Sequence, residues 1–186
     1  MDTEDWRREL AAEREQKDEF LGEHQQSPLP GDARAAFEGL PYYDPDPDLR
    51  FEPSLEEHED KAPVTVATTA DNDQEYLRWG EFVFEVDGEQ QSLEAYRSDP
   101  EEERLWVPFR DETNGEETYG GGRYLDLVDP EDRAGDEWVL DFNRAYTPFC
   151  VYSDLYECPM VPGENWLEVA IEAGEKVPDL DVGEGH

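Results

Sequence analysis

Lysine is nearly missing from this chain: Lys17, Lys61 and Lys176 are the only three among 186 residues, and the other twelve of the fifteen cations are arginines. Cysteine (Cys150, Cys158) and histidine (His24, His58, His186) are as scarce. Two thiols are too few for a disulfide scaffold, and the composition suits a reducing compartment. No stretch approaches the roughly 20 apolar residues that span a bilayer, and the start MDTEDWRREL has no apolar signal region. The expectation is a cytoplasmic protein with no membrane partner. A basic stripe is lacking too, which argues against nucleic acid, because phosphate binding needs one.

What the chain does have is acid. Fifty-one Asp and Glu leave a formal charge of -36, far beyond what solubility requires. At molar ionic strength the Debye length falls to about 3 Å, so self-repulsion that would strain the fold in dilute buffer is largely screened. Such a surface is built for molar salt and a coat of hydrated cations. Acidity with low hydrophobicity also marks disordered chains, but five Trp, nine Tyr and eight Phe are spread through alternating segments. Each buried ring hides roughly 150–250 Å², enough to hold a core together. The arginine bias points the same way, since guanidinium pairs bidentately with carboxylates where an ammonium is a mobile point charge.

The length is that of one domain. Asp2 to Gly22 reads as a helix on a thin apolar stripe of Trp6, Leu10, Lys17 and Leu21, lying on the body of the protein. Ser27-Pro28-Leu29-Pro30-Gly31 breaks the chain, a short helical stretch at Asp32 to Phe37 follows, and the prolines from Pro41 to Pro47 impose an extended connector. From Leu49 the period becomes two. Strands are expected at Arg50–Glu56, Pro63–Thr69, Gln74–Val86, Leu105–Phe109, Arg123–Leu127, Trp138–Phe142 and Trp166–Ile171, with Asp87-Gly88 turning Gln74–Val86 into an antiparallel hairpin through Gln91-Ser92-Leu93. Together these predict a mainly β fold, an antiparallel β-barrel or curved β-sandwich of roughly eight strands with the amino-terminal helix packed outside. The division is residues 1–24 (helix), 25–176 (one β domain) and 177–186 (acidic tail). A proline-broken loop, Asn143 to Asn165, lies over one end of the sheets.

Several segments carry a family likeness: Phe109-Arg110-Asp111-Glu112-Thr113, Thr118-Tyr119-Gly120-Gly121-Gly122-Arg123-Tyr124-Leu125-Asp126, Leu140-Asp141-Phe142-Asn143-Arg144-Ala145-Tyr146 and Cys158-Pro159. With Gly39-Leu40-Pro41-Tyr42-Tyr43 and Ala173-Gly174-Glu175-Lys176, the chain resembles the domain-of-unknown-function family 1684 from about Trp6 to Lys176, as a halophilic member. The resemblance supplies motif positions and implies no activity. Thr147-Pro148 stands where the family pattern tends to read Asn-Pro, which removes any role for an asparagine amide there.

In a polyacidic chain, paired carboxylates occur by chance and say nothing about acid–base chemistry. The informative groups are the rare ones. Arg110, Arg123 and Arg144 sit at strand ends beside hydroxyls and glycines, where a guanidinium either clamps a ligand anion or pairs with Asp111, Asp126 or Asp141. Gly120-Gly121-Gly122 reads as an anion-binding nest or as a turn needing positive φ, and it lacks the Lys-Ser/Thr of a nucleotide phosphate loop. Cys150 and Cys158 fit metal ligation, a redox pair, a nucleophile or inert packing; the three histidines are too dispersed to complete a zinc site, and no cofactor motif is present. Tyr119, Tyr124 and Tyr146 read as pocket walls or as core. The expectation is a small-molecule ligand, anionic if the arginines face it, in a pocket formed by Arg110, Asp111, Thr113, Tyr119, Gly120, Gly121, Gly122, Arg123, Tyr124, Asn143, Arg144, Tyr146, Cys150 and Cys158, with no metal. The competing expectation is a hydrolase or lyase using Thr113, Tyr119, Asp141 or Cys150.

The charge argument makes a direct prediction. Circular dichroism in about 3 M KCl gives a β-dominated spectrum, and dilution to about 0.1 M lowers the melting temperature by about 10 °C, or roughly 3 kcal/mol for a chain of this size.

Overall fold

The computed structural model describes residues 3–25, 27, 29, 34–35, 37, 39–68, 72–119, 121–128, 131–148 and 158–176. Helix α1, Thr3–Glu23, begins and ends within a residue of the span read from the sequence and buries only Trp6, Leu10 and Leu21. Its attachment is mostly polar. Trp6 Nε1 donates to Asp141 Oδ2 at 2.7 Å, Arg14 donates to the carbonyls of Tyr43 and Asn143, and the Leu40 N–H donates to Asp18 Oδ1 at 3.0 Å.

The chain then enters the sheets through short strands β1 (Arg50–Phe51) and β2 (Glu56–Glu57), followed by β3 (Pro63–Ala67) and the long β4 (Asp73–Val86). Asp87 and Gly88 both have positive φ, as a tight hairpin turn requires, and join β4 to β5 (Glu89–Arg97) in the antiparallel register that pairs Phe84 with Gln91 and Phe82 with Leu93. Next come β6 (Arg104–Phe109), β7 (Arg123–Val128), β8 (Arg133–Ala134), β9 (Glu137–Trp138) and β10 (Leu140–Asp141). The main sheet runs β2-β4-β5-β6-β7, with β3 beside β2 along the same edge of β4; β1 pairs β10, and β8 pairs β9. All these pairings are antiparallel. The sheet stays open, so of the two expected architectures the curved sandwich holds and the closed barrel does not.

Alternation places Phe82, Phe84, Leu93, Leu105, Val107, Phe109, Leu125 and Leu127 on one face, where Trp138, Leu140, Phe142 and Ile171 cover them. The other face carries a smaller aromatic cluster of Tyr96, Trp106 and Tyr124, with Tyr76 and Tyr146 against it. This even-numbered face of β7 matters for the site: Tyr124 and Asp126 project away from the main core.

Three expected strands need correction. Arg50–Glu56 is strand only at its ends, as β1 and as the first residue of β2, which lie in different sheets. Trp138–Phe142 is split into β9 and β10 and ends in a 3-10 turn, Phe142–Arg144, because the Asp141 carboxylate accepts the Asn143 N–H and caps it. Trp166–Ile171 forms no strand. Its alternating pattern is satisfied by hydrogen bonds alongside Arg110 to Glu112, with Leu167 N–H on the Arg110 carbonyl and Glu112 N–H on the Val169 carbonyl. The Ile171 N–H turns instead to the Asp111 carboxylate at 2.6 Å. The short helical stretch expected at Asp32 to Phe37 falls mostly outside the described residues, as does the tail 177–186.

Arg123 is the largest of the fully buried side chains among the described residues. Its guanidinium donates to the carbonyls of Ile171, Ala173 and Glu175 and stands 3.6 Å from Asp111 Oδ1, over the ring of Phe109. Burial pushes it below the usual arginine value, and Asp111 works against that shift. Removing one member of a buried pair strands the other. Arg123→Met therefore lowers stability by about 3–5 kcal/mol, read by chemical denaturation in molar KCl.

Candidate functional site

The expected pocket residues divide into groups that the fold keeps apart. Asp111, Thr113 and Arg123 form one buried network, in which the Thr113 hydroxyl donates to Asp111 Oδ2 at 2.8 Å and sits 2.9 Å from Thr118 Oγ1. It holds the 111–118 loop and the 171–175 segment together, and every Arg123 contact is internal, so the expected arginine clamp is a fastener for the chain itself. Tyr119, Gly121 and Gly122 make the turn into β7. Gly122 has φ +101°, and a Cβ there would lie 2.5 Å from the Phe109 carbonyl oxygen, while its N–H donates to the Tyr119 carbonyl. The positive φ of the turn reading is met at Gly122, while at Gly121 a Cβ would lie 2.5 Å from the Tyr119 ring. Gly120 and Cys150 lie outside the described residues. Arg110 stacks over Trp166, its guanidinium 4.4 Å from the ring centroid. Asp141, named for catalysis, accepts from Trp6 and Asn143, whereas Thr113 bonds Asp111 and Thr118, so these two candidates belong to separate networks.

Tyr124, Asn143, Arg144, Tyr146 and Cys158 do come together, beneath α1. The inner part of this cleft is a cavity of about 210 Å³ whose walls include Leu10, Arg14, Lys17, Tyr42, Arg144 and Glu175. The outer part is a groove of about 730 Å³ walled by Phe20, Tyr124, Tyr146, Pro148 and Cys158, with Glu13, Lys17 and Asp126 as its charged groups. Glu13, Lys17 and Tyr146 line both, which makes the two parts one cleft.

Each charged wall is held. Arg144 grips Glu13 through Nε and Nη2, both at 3.0 Å, and Lys17 pairs with Glu175, a carboxylate only 3% exposed whose other oxygen accepts the Thr147 N–H at 2.9 Å. That Thr147 contact runs through the backbone, so the departure from asparagine at this position leaves it intact. Arg14 lies 4.4 Å over the Tyr42 ring, and its buried Nε has no hydrogen-bond partner. Asn143 acts from behind: its amide bridges Asp46 and Asp141, and its carbonyl receives Arg14. In the outer groove the Tyr146 hydroxyl donates to Asp126 Oδ2 at 2.5 Å, and burial raises the Asp126 carboxyl above its ordinary value against the opposing pull of Tyr146 and Arg104. Among the described residues no group of three or more His, Cys, Asp or Glu side chains could hold a metal ion.

Sequence reasoning missed Glu13, Arg14, Lys17, Phe20, Asp126 and Glu175. One signal was present: Lys17 is a lysine on the apolar stripe of α1, and Arg14 and Phe20 fall three residues to either side of it, on the same helical face.

An open, curved antiparallel sheet with an external helix roofing a cleft of mixed charge defines the protein's class. The chain belongs to the family described as protein of unknown function (DUF1684), whose model matches residues 35–176. It is similar to an uncharacterised protein of the halophile Haloarcula marismortui, known from a solution NMR structure, at 48% identity over 94% of this chain and 95% of that one, with a TM-score of 0.70. No curated protein is significantly similar. No helix among the described residues is long and apolar enough to cross a membrane.

The Arg144–Glu13 contact is bidentate and ties α1 to the turn after β10. Glu13→Gln weakens it, and because the pair is partly exposed the cost is below about 1 kcal/mol; amide exchange in the middle of α1 rises while the main sheet is unchanged.

Proposed function

We propose that this protein binds a small molecule carrying an anionic group in the cleft beneath α1. The observation that carries this reading is that Arg14, Lys17 and Arg144, three of only fifteen basic side chains, line one cavity of about 210 Å³ in a chain of net charge -36. Around that cavity three cations meet the carboxylates of Glu13, Glu175 and, 3.9 Å from Arg144, Glu9, a far higher share of cations than the chain as a whole carries. Lys17 keeps donor capacity beyond Glu175, since an ammonium has three N–H bonds. The Arg14 guanidinium is partly desolvated, which lowers it from the usual value without neutralising it, and a half-buried cation is screened less by salt than one on the surface. The adjoining aromatic groove offers an apolar wall for the rest of the ligand.

Isothermal titration in about 3 M KCl, where the fold is screened, tests the reading with simple carboxylates and organic phosphates. Binding is expected in the parent and is at least about tenfold weaker in Arg144→Gln, because the change removes a cation and frees the Glu13 carboxylate to repel the anion. Arg8→Gln, on the exposed side of α1, leaves affinity unchanged. Absence of binding by every anion class, or equal affinity in Arg144→Gln, overturns the proposal.

A further inference from the structure

We infer that the ligand of this cleft is zwitterionic, with an amine or quaternary ammonium group seated in the outer groove on Asp126 while its anionic group faces Lys17 and the arginines. The inference rests on the binding role proposed above and adds the second half of the recognition. Tyr146 organises both poles. Its ring centroid lies 5.2 Å from the Lys17 ammonium, and its hydroxyl holds Asp126 Oδ2 at 2.5 Å, so one cation and one anion are anchored on the same side chain in the same groove.

Asp126 is poorly neutralised for a carboxylate in this setting. Arg104, from β6, comes no closer than 3.9 Å and is shared with Glu102 at 3.1 Å, and Asp126 Oδ1 has no hydrogen bond. A buried acceptor left in that state favours any donor that reaches it. Around it the rings of Phe20, Tyr124 and Tyr146 border the groove, and aromatic faces beside one carboxylate are the chemistry that receives an organic cation. Tyr124 stands edge-on to Tyr146 with centroids 5.8 Å apart, and its hydroxyl is tied to the Pro159 carbonyl, so the wall is rigid.

The pairing also couples binding to protons. Burial favours the neutral form of Asp126 and raises its carboxyl above the ordinary value. A bound ammonium favours the carboxylate, so binding pulls that titration down and releases a proton. Affinity for the amine therefore rises with pH through the Asp126 range and levels off above it. The other charged and titratable groups facing Asp126 are Arg104, Glu102, Asp132, Asp141, Arg144 and Tyr146, with Glu13 and Lys17 across the groove on α1 and the Cys158 thiol on its wall. Asp126→Asn separates its contribution from theirs.

The test is isothermal titration in two buffers of different ionisation enthalpy, comparing a short linear ω-amino carboxylate with the alkanoate of equal length. The amino carboxylate is expected to bind the parent at least about tenfold more tightly than the alkanoate, with proton release; Asp126→Asn abolishes both the advantage and the release and does not weaken the alkanoate. Equal affinity of the two probes for the parent, or an amino carboxylate indifferent to Asp126→Asn, overturns the inference and leaves anion binding standing. Failure of both probes to bind removes both readings. Should Asp126→Asn fail to fold, carboxyl carbon NMR titration of the parent decides: a lower Asp126 midpoint with the amino carboxylate present supports the inference, and an unmoved midpoint overturns it.

Discussion

The buried Arg123–Asp111 pair is the contact on which the rest of the structure depends, because it converts the first residue of β7 into an anchor for a distant stretch of chain. Three carbonyls of the 171–175 segment converge on one guanidinium, and the Ile171 N–H returns to the partner carboxylate. A buried cation is tolerated only when it is paired and hydrogen-bonded in this way. The segment held in this way closes the main core with Ile171 and Ala173 and then delivers Glu175 to the cleft, where its carboxylate receives Lys17 and the Thr147 N–H. One residue further along β7, Tyr124 points to the opposite face. Core closure and cleft wall are therefore set by neighbouring residues of one strand, through nothing more than the alternation of a pleated backbone.

Helix α1 completes the cleft without contributing much to the core. Its apolar stripe is thin, and polar contacts from Trp6, Glu13, Arg14, Lys17 and Asp18 seat it on the sheet and the proline-rich connector. In water of low ionic strength such contacts compete with the repulsion of a chain at -36. In concentrated salt the long-range repulsion is screened within about 3 Å, while short, partly buried pairs keep most of their strength. The acidic surface and the polar seating of the helix are thus two sides of one adaptation, which the similarity to a protein of Haloarcula marismortui matches.

Local signals were well represented in the sequence. Alternation and the Asp87-Gly88 pair placed the β4–β5 hairpin, and spacing placed α1 to within a residue. Trp166–Ile171 misled because period two records only which side of the chain is buried, and a segment lying against Arg110 to Glu112 meets that condition without entering a sheet. The candidate site was half legible. Tyr124, Asn143, Arg144, Tyr146 and Cys158 stood out as rare or aromatic groups in motif segments, whereas Asp126 and Glu175 were hidden among 51 carboxylates, where type alone carries no information.

Composition and periodicity by themselves pointed to a salt-rich solvent, an antiparallel β character and an external helix, and the motif segments carried the family likeness, because each depends on charge totals or on residues close in sequence. Tertiary structure alone decided that Arg123 is an internal fastener, that the sheet stays open, and that Lys17, Arg144, Asp126 and Glu175 share one cleft. Those outcomes join residues up to 158 positions apart, as Lys17 and Glu175 are, and no local pattern encodes which distant carboxylate a given cation will meet.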